Sequence, residues 1–520
     1  MSAPSYTPRS EITRSAQILR DTFNSGRTRD IAWRRWQLKQ LWWLVEDNLD
    51  ALCLALYADL HRHRTEAVEG DITPLKLDIY EALSNLDTWT KDVNVPGVMG
   101  WMTNSRVKKE PLGVVLIISP WNFPLYLALG PMIYAIAAGC TVLLKPSEMT
   151  QATERLIVDL IPQYMDQSAI KVITGGPEQI QHTLLHRFDK IFFTGSSKVG
   201  KIVAKSAAEH LTPVVLELGG QNPCFVEKDA DIDRAAREIA RIQFFNSGQF
   251  CLCVNHVFAD PAIAAELVAG IKKHLAIFLS RGDECMSRII NESNFDRIVN
   301  MLNKTSGRVV YGGQHNRSDL YIQPTIVDDV KMNDSLLSCE VFGPVLPIIH
   351  ATPLEGVNFA NKYPSPLALY IFTKSRDTVE FIVNSTMSGG VTVNSLAIHA
   401  FVANAPFGGV RESGTGAYHG VYGVDTFSNF RTVATVPGWY SRFFGSSEPP
   451  YEDEPQKGKM LDWPSNIGFK RGETLEDQRK KQYLAGRTVK TGLVMAVLGT
   501  VLARTGTLGR IWQEIARLTR

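Results

Sequence analysis

At 520 residues the chain is longer than one hydrophobic core usually organises, so two or three domains are expected. Its 44% hydrophobic and 21% charged content is that of a globular protein, and a net charge of +2 gives no reason to expect nucleic acid or another polyanion as partner. Seven scattered cysteines, an odd number, exclude a disulfide framework and fit a reducing, intracellular compartment. Met1-Ser2-Ala3-Pro4-Ser5 has no basic segment leading into an apolar run, so no secretory signal is read.

Residues 9–60 carry apolar positions at three-to-four spacing with few breakers, which predicts helices. Between Glu110 and Lys145 no residue is charged, yet Pro111, Pro120, Pro124, Pro131 and several glycines cut the stretch too short for a membrane span. The pieces read as a buried strand over 114–118, a helix over 125–138 and a second buried strand over 141–144. A helix near 152–164 and strands at 170–173 and 190–193 continue the alternation, which implies βαβ units and a parallel sheet. A second alternating stretch runs over 223–392, with a helix near 232–245 and strands near 254–258 and 369–372. Residues 441–469 read as a linker. Beyond it, the apolar stretch 491–503 is flanked by Lys and Arg before it and by Arg after it; thirteen residues give about 20 Å of helix, which suits an interfacial anchor or a short tail span.

Three motifs carry chemistry. Cys251 follows the turn Asn246-Ser247-Gly248-Gln249-Phe250, Glu217 precedes Leu218-Gly219-Gly220, and Asn122 sits inside Pro120-Trp121-Asn122-Phe123-Pro124. A thiol that attacks, an amide that holds an oxyanion and a carboxylate that activates water are the parts needed for covalent chemistry on a carbonyl. The run Phe193-Thr194-Gly195-Ser196-Ser197-Lys198-Val199-Gly200-Lys201 ends an apolar strand in a glycine turn and starts a helix, a place that attracts phosphate. It falls short of a nucleotide P-loop, because Ile202 stands where the Mg²⁺-binding hydroxyl belongs, and it is not the G-x-G-x-x-G fingerprint; a plain strand-to-helix turn also fits. Lys145 and Glu148 end a buried strand where an adenosine ribose could be gripped, or they form a surface pair beside a cap at Ser147. Glu340 and Phe342 stand before the Gly343-Pro344 turn as a ribose acceptor beside a ring, or as a plain loop with a buried Phe. Cys251, Cys253 and His256 have no second cluster at zinc spacing, so no metal site is expected.

In order and spacing, these motifs together resemble the aldehyde dehydrogenase superfamily over roughly residues 10–435. Pro406-Phe407-Gly408-Gly409-Val410 and Asp425-Thr426-Phe427-Ser428 are similar to its class 3 branch, which includes fatty aldehyde dehydrogenases. The resemblance implies an α/β fold: a Rossmann-like cofactor domain over 1–217, a second α/β catalytic domain over 218–394, and a bridging or oligomerisation element from 395–435 with part of 95–110. A linker and C-terminal helical tail over 441–520 complete the expected organisation. It implies Cys251 as nucleophile, Asn122 with the Cys251 N–H as oxyanion hole, and Glu217 as general base. Lys145 and Glu148 are implied at the adenosine ribose, Gly195, Ser196, Val199 and Gly200 at the pyrophosphate turn, and Glu340 and Phe342 at the nicotinamide riboside. NAD⁺ is the expected cofactor, with NADP⁺ as the alternative, and a homodimer the expected assembly. The expected reaction is oxidation of a long-chain fatty aldehyde to the acid, with an apocarotenoid or other polyene aldehyde as the alternative substrate. A P-loop nucleotide-binding protein and a catalytically silent scaffold are the distant alternatives. Three positions depart from the family: Phe250 where Thr is frequent, Gln221 where Lys is frequent, and Arg411-Glu412 where smaller residues are usual. Phe250 abuts the nucleophile and is expected to reshape the aldehyde pocket.

Overall fold

The apolar runs between glycine and proline breaks become the inner strands of two sheets. A computed structural model describes residues 6–440 and 471–481. They fall into two units, 1–435 and 436–520.

In the first unit one sheet runs in the order Gly414–Thr415, Val214–Glu217, Lys190–Thr194, Val114–Ile118, Thr141–Lys145, Ile170–Val172. All its pairings are parallel except that of Gly414–Thr415. The Val114–Ile118 strand is buried throughout, as a strand covered on both faces should be. A second sheet runs Arg308–Tyr311, Thr325–Asp328, Val345–His350, His256–Ala259, Pro223–Val226, Ala368–Phe372, Gly390–Val393, again parallel but for its first edge strand. A three-stranded antiparallel sheet joins Val93–Asn94, Arg106–Pro111 and Ser428–Val433. Its strands Arg106–Pro111 and Ser428–Val433 come from or next to the segments 95–110 and 395–435 named for a bridging element, while Gly414–Thr415 pairs with the first sheet.

The helices expected over 125–138, 152–164 and 232–245 are Tyr126–Ala138, Gln151–Tyr164 and Ile232–Phe244. Residues 9–60 form three α-helices, Arg9–Asn24, Ile31–Asp47 and Leu49–Leu60. One strand starts later than its sequence suggests: the segment read from 254 begins at His256. All seven cysteines are free.

In the second unit, residues 475–481 are helical, and Thr474 and Asp477 cap their start through reciprocal bonds of 3.0 and 3.2 Å. The linker 441–469 and the apolar stretch 491–503 lie outside the described residues. Among the described residues, no helix is long and apolar enough to cross a membrane.

Register sets the position of the site. Ile118 pairs with Lys145 and Phe193, and Thr194 pairs with Glu217, so the loops carrying Asn122 and Gly195 and the strand-end residue Glu217 all lie at the carboxyl edge of the first sheet. Ligands of parallel α/β sheets bind at that edge.

Candidate active site

A cavity of about 320 Å³ opens at this edge, lined by Asn122, Gly195, Ser196, Glu217, Cys251, Glu340 and Phe342 among others. Seven of the residues singled out from the sequence therefore share one chamber. Lys145, Glu148, Val199 and Gly200 do not line it. Lys145 and Glu148 are ion-paired at the end of the Thr141–Lys145 strand. Val199 and Gly200 lie in the first turn of the helix Ser197–Ala208, where the Val199 N–H donates to Ser196 Oγ (3.4 Å). Ser196 is thus the helix cap as well as a cavity wall.

A second, mostly apolar cavity of about 350 Å³ lies on the other side of Cys251, walled by Phe123, Phe245, Phe250, Leu252, Ile398 and Phe401. Leu127, Cys251, Phe407 and Tyr418 border both spaces. Three phenylalanines pack at the thiol's flank: the Phe123 and Phe250 rings meet edge to face at 4.9 Å, and Phe245 lies 6.2 Å from each. Phe250, the departure flagged in the sequence, is part of this wall.

The loop bearing the thiol is held in conformations that L residues rarely adopt. Asn246 (φ 48°), Ser247 (φ 50°) and Gly248 (φ 74°) follow one another in the left-handed region. At Gly248 a side chain would also run into the Gly343 carbonyl. Downstream, the Asn222 amide donates to the carbonyls of Cys251 (2.7 Å) and Cys253 (2.9 Å). Gln249 is tied to Arg288 (2.9 Å) and Ile290 (3.0 Å). Cys253 is a small buried side chain whose thiol reaches main-chain carbonyls at 3.4 and 3.7 Å. Sequence reasoning missed Asn222, Asn246 and Gln249, although amide side chains crowding the ends of a glycine turn signal such anchoring.

The electrostatics follow from burial. Glu217 is 4% exposed and neither carboxylate oxygen has a hydrogen-bond partner among the described residues, so burial lifts its pKa well above the ordinary range. Burial pushes the Cys251 thiol up to about 12, with the Glu340 and Glu217 carboxylates adding to the effect. Glu340 is raised to about 7 by burial, partly offset by the Gly220 N–H and by Arg297. Arg297 fixes this loop by donating to the Glu340 (3.1 Å) and Val341 (2.8 Å) carbonyls. Phe342, at φ 46°, turns its ring edge-on to Trp121 at 5.4 Å. Asn122 is 4% exposed; its main-chain carbonyl is taken by Asn246 Nδ2 (2.9 Å) and Arg62, while no hydrogen bond among the described residues engages its side-chain amide.

The chamber suits a nicotinamide nucleotide. Thr194 Oγ1 and both Glu217 oxygens are buried without partners among the described residues, and the glycines keep the space open. A Cβ on Gly195 would sit 2.6 Å from the Phe193 ring, and one on Gly219 would strike the Glu340 carboxylate. A thiol, a carboxyl and an amide, the last two without hydrogen-bond partners among the described residues, thus share one chamber beside an apolar cavity.

Comparison with known proteins agrees. The sequence model of the Aldehyde dehydrogenase family matches residues 4–433. The chain belongs to the aldehyde dehydrogenase family. It is 42% identical to aldehyde dehydrogenase family 3 member B1 of Bos taurus over 442 residues, 84% of this chain and 94% of that protein. It is 40% identical to the mouse (Mus musculus) protein named aldehyde dehydrogenase, dimeric NADP-preferring, over 81% of this chain and 94% of that one. Among solved structures, the substrate-bound state of Staphylococcus aureus AldH superposes with a TM-score of 0.83 at 34% identity, covering 86% of this chain and 99% of that one. The protein is thus an NAD(P)-dependent oxidoreductase acting on aldehydes, with an affinity to family 3.

Proposed function

We propose that this aldehyde dehydrogenase oxidises a hydrophobic, long-chain fatty aldehyde to its carboxylic acid through a cysteine-bound acyl intermediate. The observation that carries this reading is that Cys251 borders both the polar chamber and the apolar cavity. An aldehyde whose chain fills the apolar side presents its carbonyl carbon to the thiol. The thiol gives its proton to water, Sγ bonds to the carbonyl carbon, and the carbonyl π pair moves to oxygen as an oxyanion held by the Asn122 amide and the Cys251 N–H. Glu340 and Phe342, with Gly195 and Ser196, would hold NAD(P)⁺, which supplies the hydride acceptor when bound. Glu217, in its ionised form, takes a proton from the water that releases the acyl group. Lys145 and Glu148 are proposed at the adenosine ribose, and Val199 and Gly200 at the pyrophosphate turn, with 1–217 and 218–394 as the cofactor and catalytic halves.

A polyene aldehyde is the second reading, supported by the aromatic wall that Phe123, Phe245 and Phe250 give the apolar cavity. A further space of about 250 Å³, walled by Phe244, Leu275, Phe278 and Met286 among others, shares Phe245 with the apolar cavity and supports a long saturated chain. Homodimer formation is proposed from the relative named dimeric, and association with the cytoplasmic side of a membrane from the basic-flanked stretch 491–503. Intact-mass analysis of Glu217→Gln after incubation with aldehyde and NAD⁺ tests the mechanism. An acyl adduct on Cys251 is expected, and turnover at the wild-type rate would remove Glu217 from its role. Comparing kcat/KM for a C16 aldehyde with that for an apocarotenal decides between the substrates.

A further inference from the structure

Arg62 lies in the run His61-Arg62-His63-Arg64, which reads as a solvated surface segment, yet its side chain is 0% exposed. Its guanidinium reaches three separate parts of the chain. It pairs with Asp71, donates to the main-chain carbonyl of Asn122, and donates through Nε to Asn246 Oδ1 at 3.2 Å. Its plane also lies over the Phe123 ring at 4.7 Å. Asp71 extends the grip, because its Oδ1 accepts the N–H groups of Leu125 (3.1 Å) and Tyr126 (2.8 Å) at the start of the helix that follows Asn122. Asn246 closes the circuit by donating to the Asn122 carbonyl (2.9 Å) and the Gln249 carbonyl (3.1 Å), while its own N–H goes to Glu66 (3.1 Å). Asp71 is placed for this by the π-helical turn Val68–Ile72, a local irregularity that often marks a functional position. Gly70 of that turn leaves room for the Phe123 ring, which a Cβ would meet at 2.7 Å.

One buried group therefore joins the loop that carries Asn122 to the loop that carries Cys251. Both loops need such a restraint: three successive left-handed residues precede the thiol, and the Asn122 turn contributes no regular ladder of its own. A planar guanidinium with five donors in fixed directions can hold a carboxylate, a carbonyl and an amide together, whereas an ammonium is a point charge.

We propose that Arg62 is a positioning residue that sets the Asn122 amide against Cys251 by clamping the two loops in register. The proposal rests on the oxyanion role assigned to Asn122 above. Its test is a double-mutant cycle on the full chain with a long-chain aldehyde and NAD⁺: Arg62→Lys, Asn122→Ala and the pair together, each with kcat, KM and a melting curve. Misplacing reacting groups by about 1 Å costs on the order of a hundredfold. Arg62→Lys is therefore expected to lower kcat by ten- to a hundredfold with little change in aldehyde KM. In the Asn122→Ala background the same change is expected to cost less than about threefold, because the donor it positions is already gone. Equal losses in both backgrounds, or a wild-type kcat for Arg62→Lys, would overturn the clamp. A wild-type kcat for Asn122→Ala would instead remove the oxyanion assignment on which it rests. If Arg62→Lys fails to fold, Asn246→Gly cuts the same link from the other loop while tolerating the left-handed backbone, and it must show the same non-additivity with Asn122→Ala.

Discussion

Replacing Glu154 with Gln should make the protein more stable at pH 8 than at pH 5, relative to wild type. Glu154 lies on the helix Gln151–Tyr164, is 0% exposed, and neither of its carboxylate oxygens has a hydrogen-bond partner among the described residues. Burial lifts its pKa from 4.5 to about 7; Glu148 and Asp59 add to the rise, while Lys145 and the nearby Gly175 N–H offset only part of it. At about 1.4 kcal/mol per unit, a rise from 4.5 to about 7 corresponds to about 3 kcal/mol. The sign follows from proton counting. Below pH 4.5 the carboxyl is neutral in both states and has no effect. As pH rises from there to about 7, the unfolded chain gives up the proton that the folded protein keeps, so stability falls; above that the loss is complete and constant. Gln cannot titrate. Urea unfolding followed by tryptophan fluorescence should show the variant's advantage growing by about 2–3 kcal/mol between pH 5 and pH 8. Parallel pH profiles for the two proteins would show that the carboxylate is solvated or paired in solution, and the argument from burial would fail.

Four further outcomes are expected. Cys251 in the ligand-free enzyme should react with iodoacetamide at pH 7.5 on the order of a thousandfold more slowly than an ordinary thiol, because its pKa stands at about 12. Glu340→Gln should accelerate that labelling, read by mass spectrometry, since the Glu340 carboxylate opposes the thiolate; an unchanged rate would refute the coupling. Slow labelling of the free protein is therefore no sign of a silent scaffold. Phe250→Thr should lower kcat/KM for a C16 aldehyde about ten- to a hundredfold, the loss of one ring's apolar contact of about 1.5–3 kcal/mol, and an undiminished value would take the ring out of the aldehyde path. Gly248→Ala should cost at least about 1–2 kcal/mol of stability from its φ of 74° and greater loss of activity, because the new Cβ meets the Gly343 carbonyl; a melting temperature and kcat like wild type would contradict the strained geometry.

The strands at Val114–Ile118, Thr141–Lys145 and Lys190–Thr194 were legible because each is an apolar run cut off by glycine or proline, and such runs end up buried wherever the sheet forms. The motifs around Cys251, Glu217 and Asn122 were legible for a related reason: turn chemistry is local, and the residues beside each group announce the bend. Val93–Asn94, Gly414–Thr415 and Ser428–Val433 gave little signal, since short strands at an edge depend on partners far along the chain. Lys145 and Glu148 did pair as neighbours at a strand end, but which cavity they face is not a property of their own segment.

What the sequence alone determined, then, was the fold class, the family and the candidate reacting groups, because periodicity, breakers and short motifs are properties of contiguous residues. The tertiary structure decided their condition. Only the assembled chain puts two cavities against one thiol, and only burial shifts Cys251, Glu217 and Glu340 from their ordinary pKa values. Arg62 shows the difference most plainly. Its neighbours in sequence make it a surface cation, while Asp71, Asn122 and Asn246, brought together from three segments, make it the centre of the site's scaffold. Desolvation and geometry are sums over distant residues, and no local window contains them.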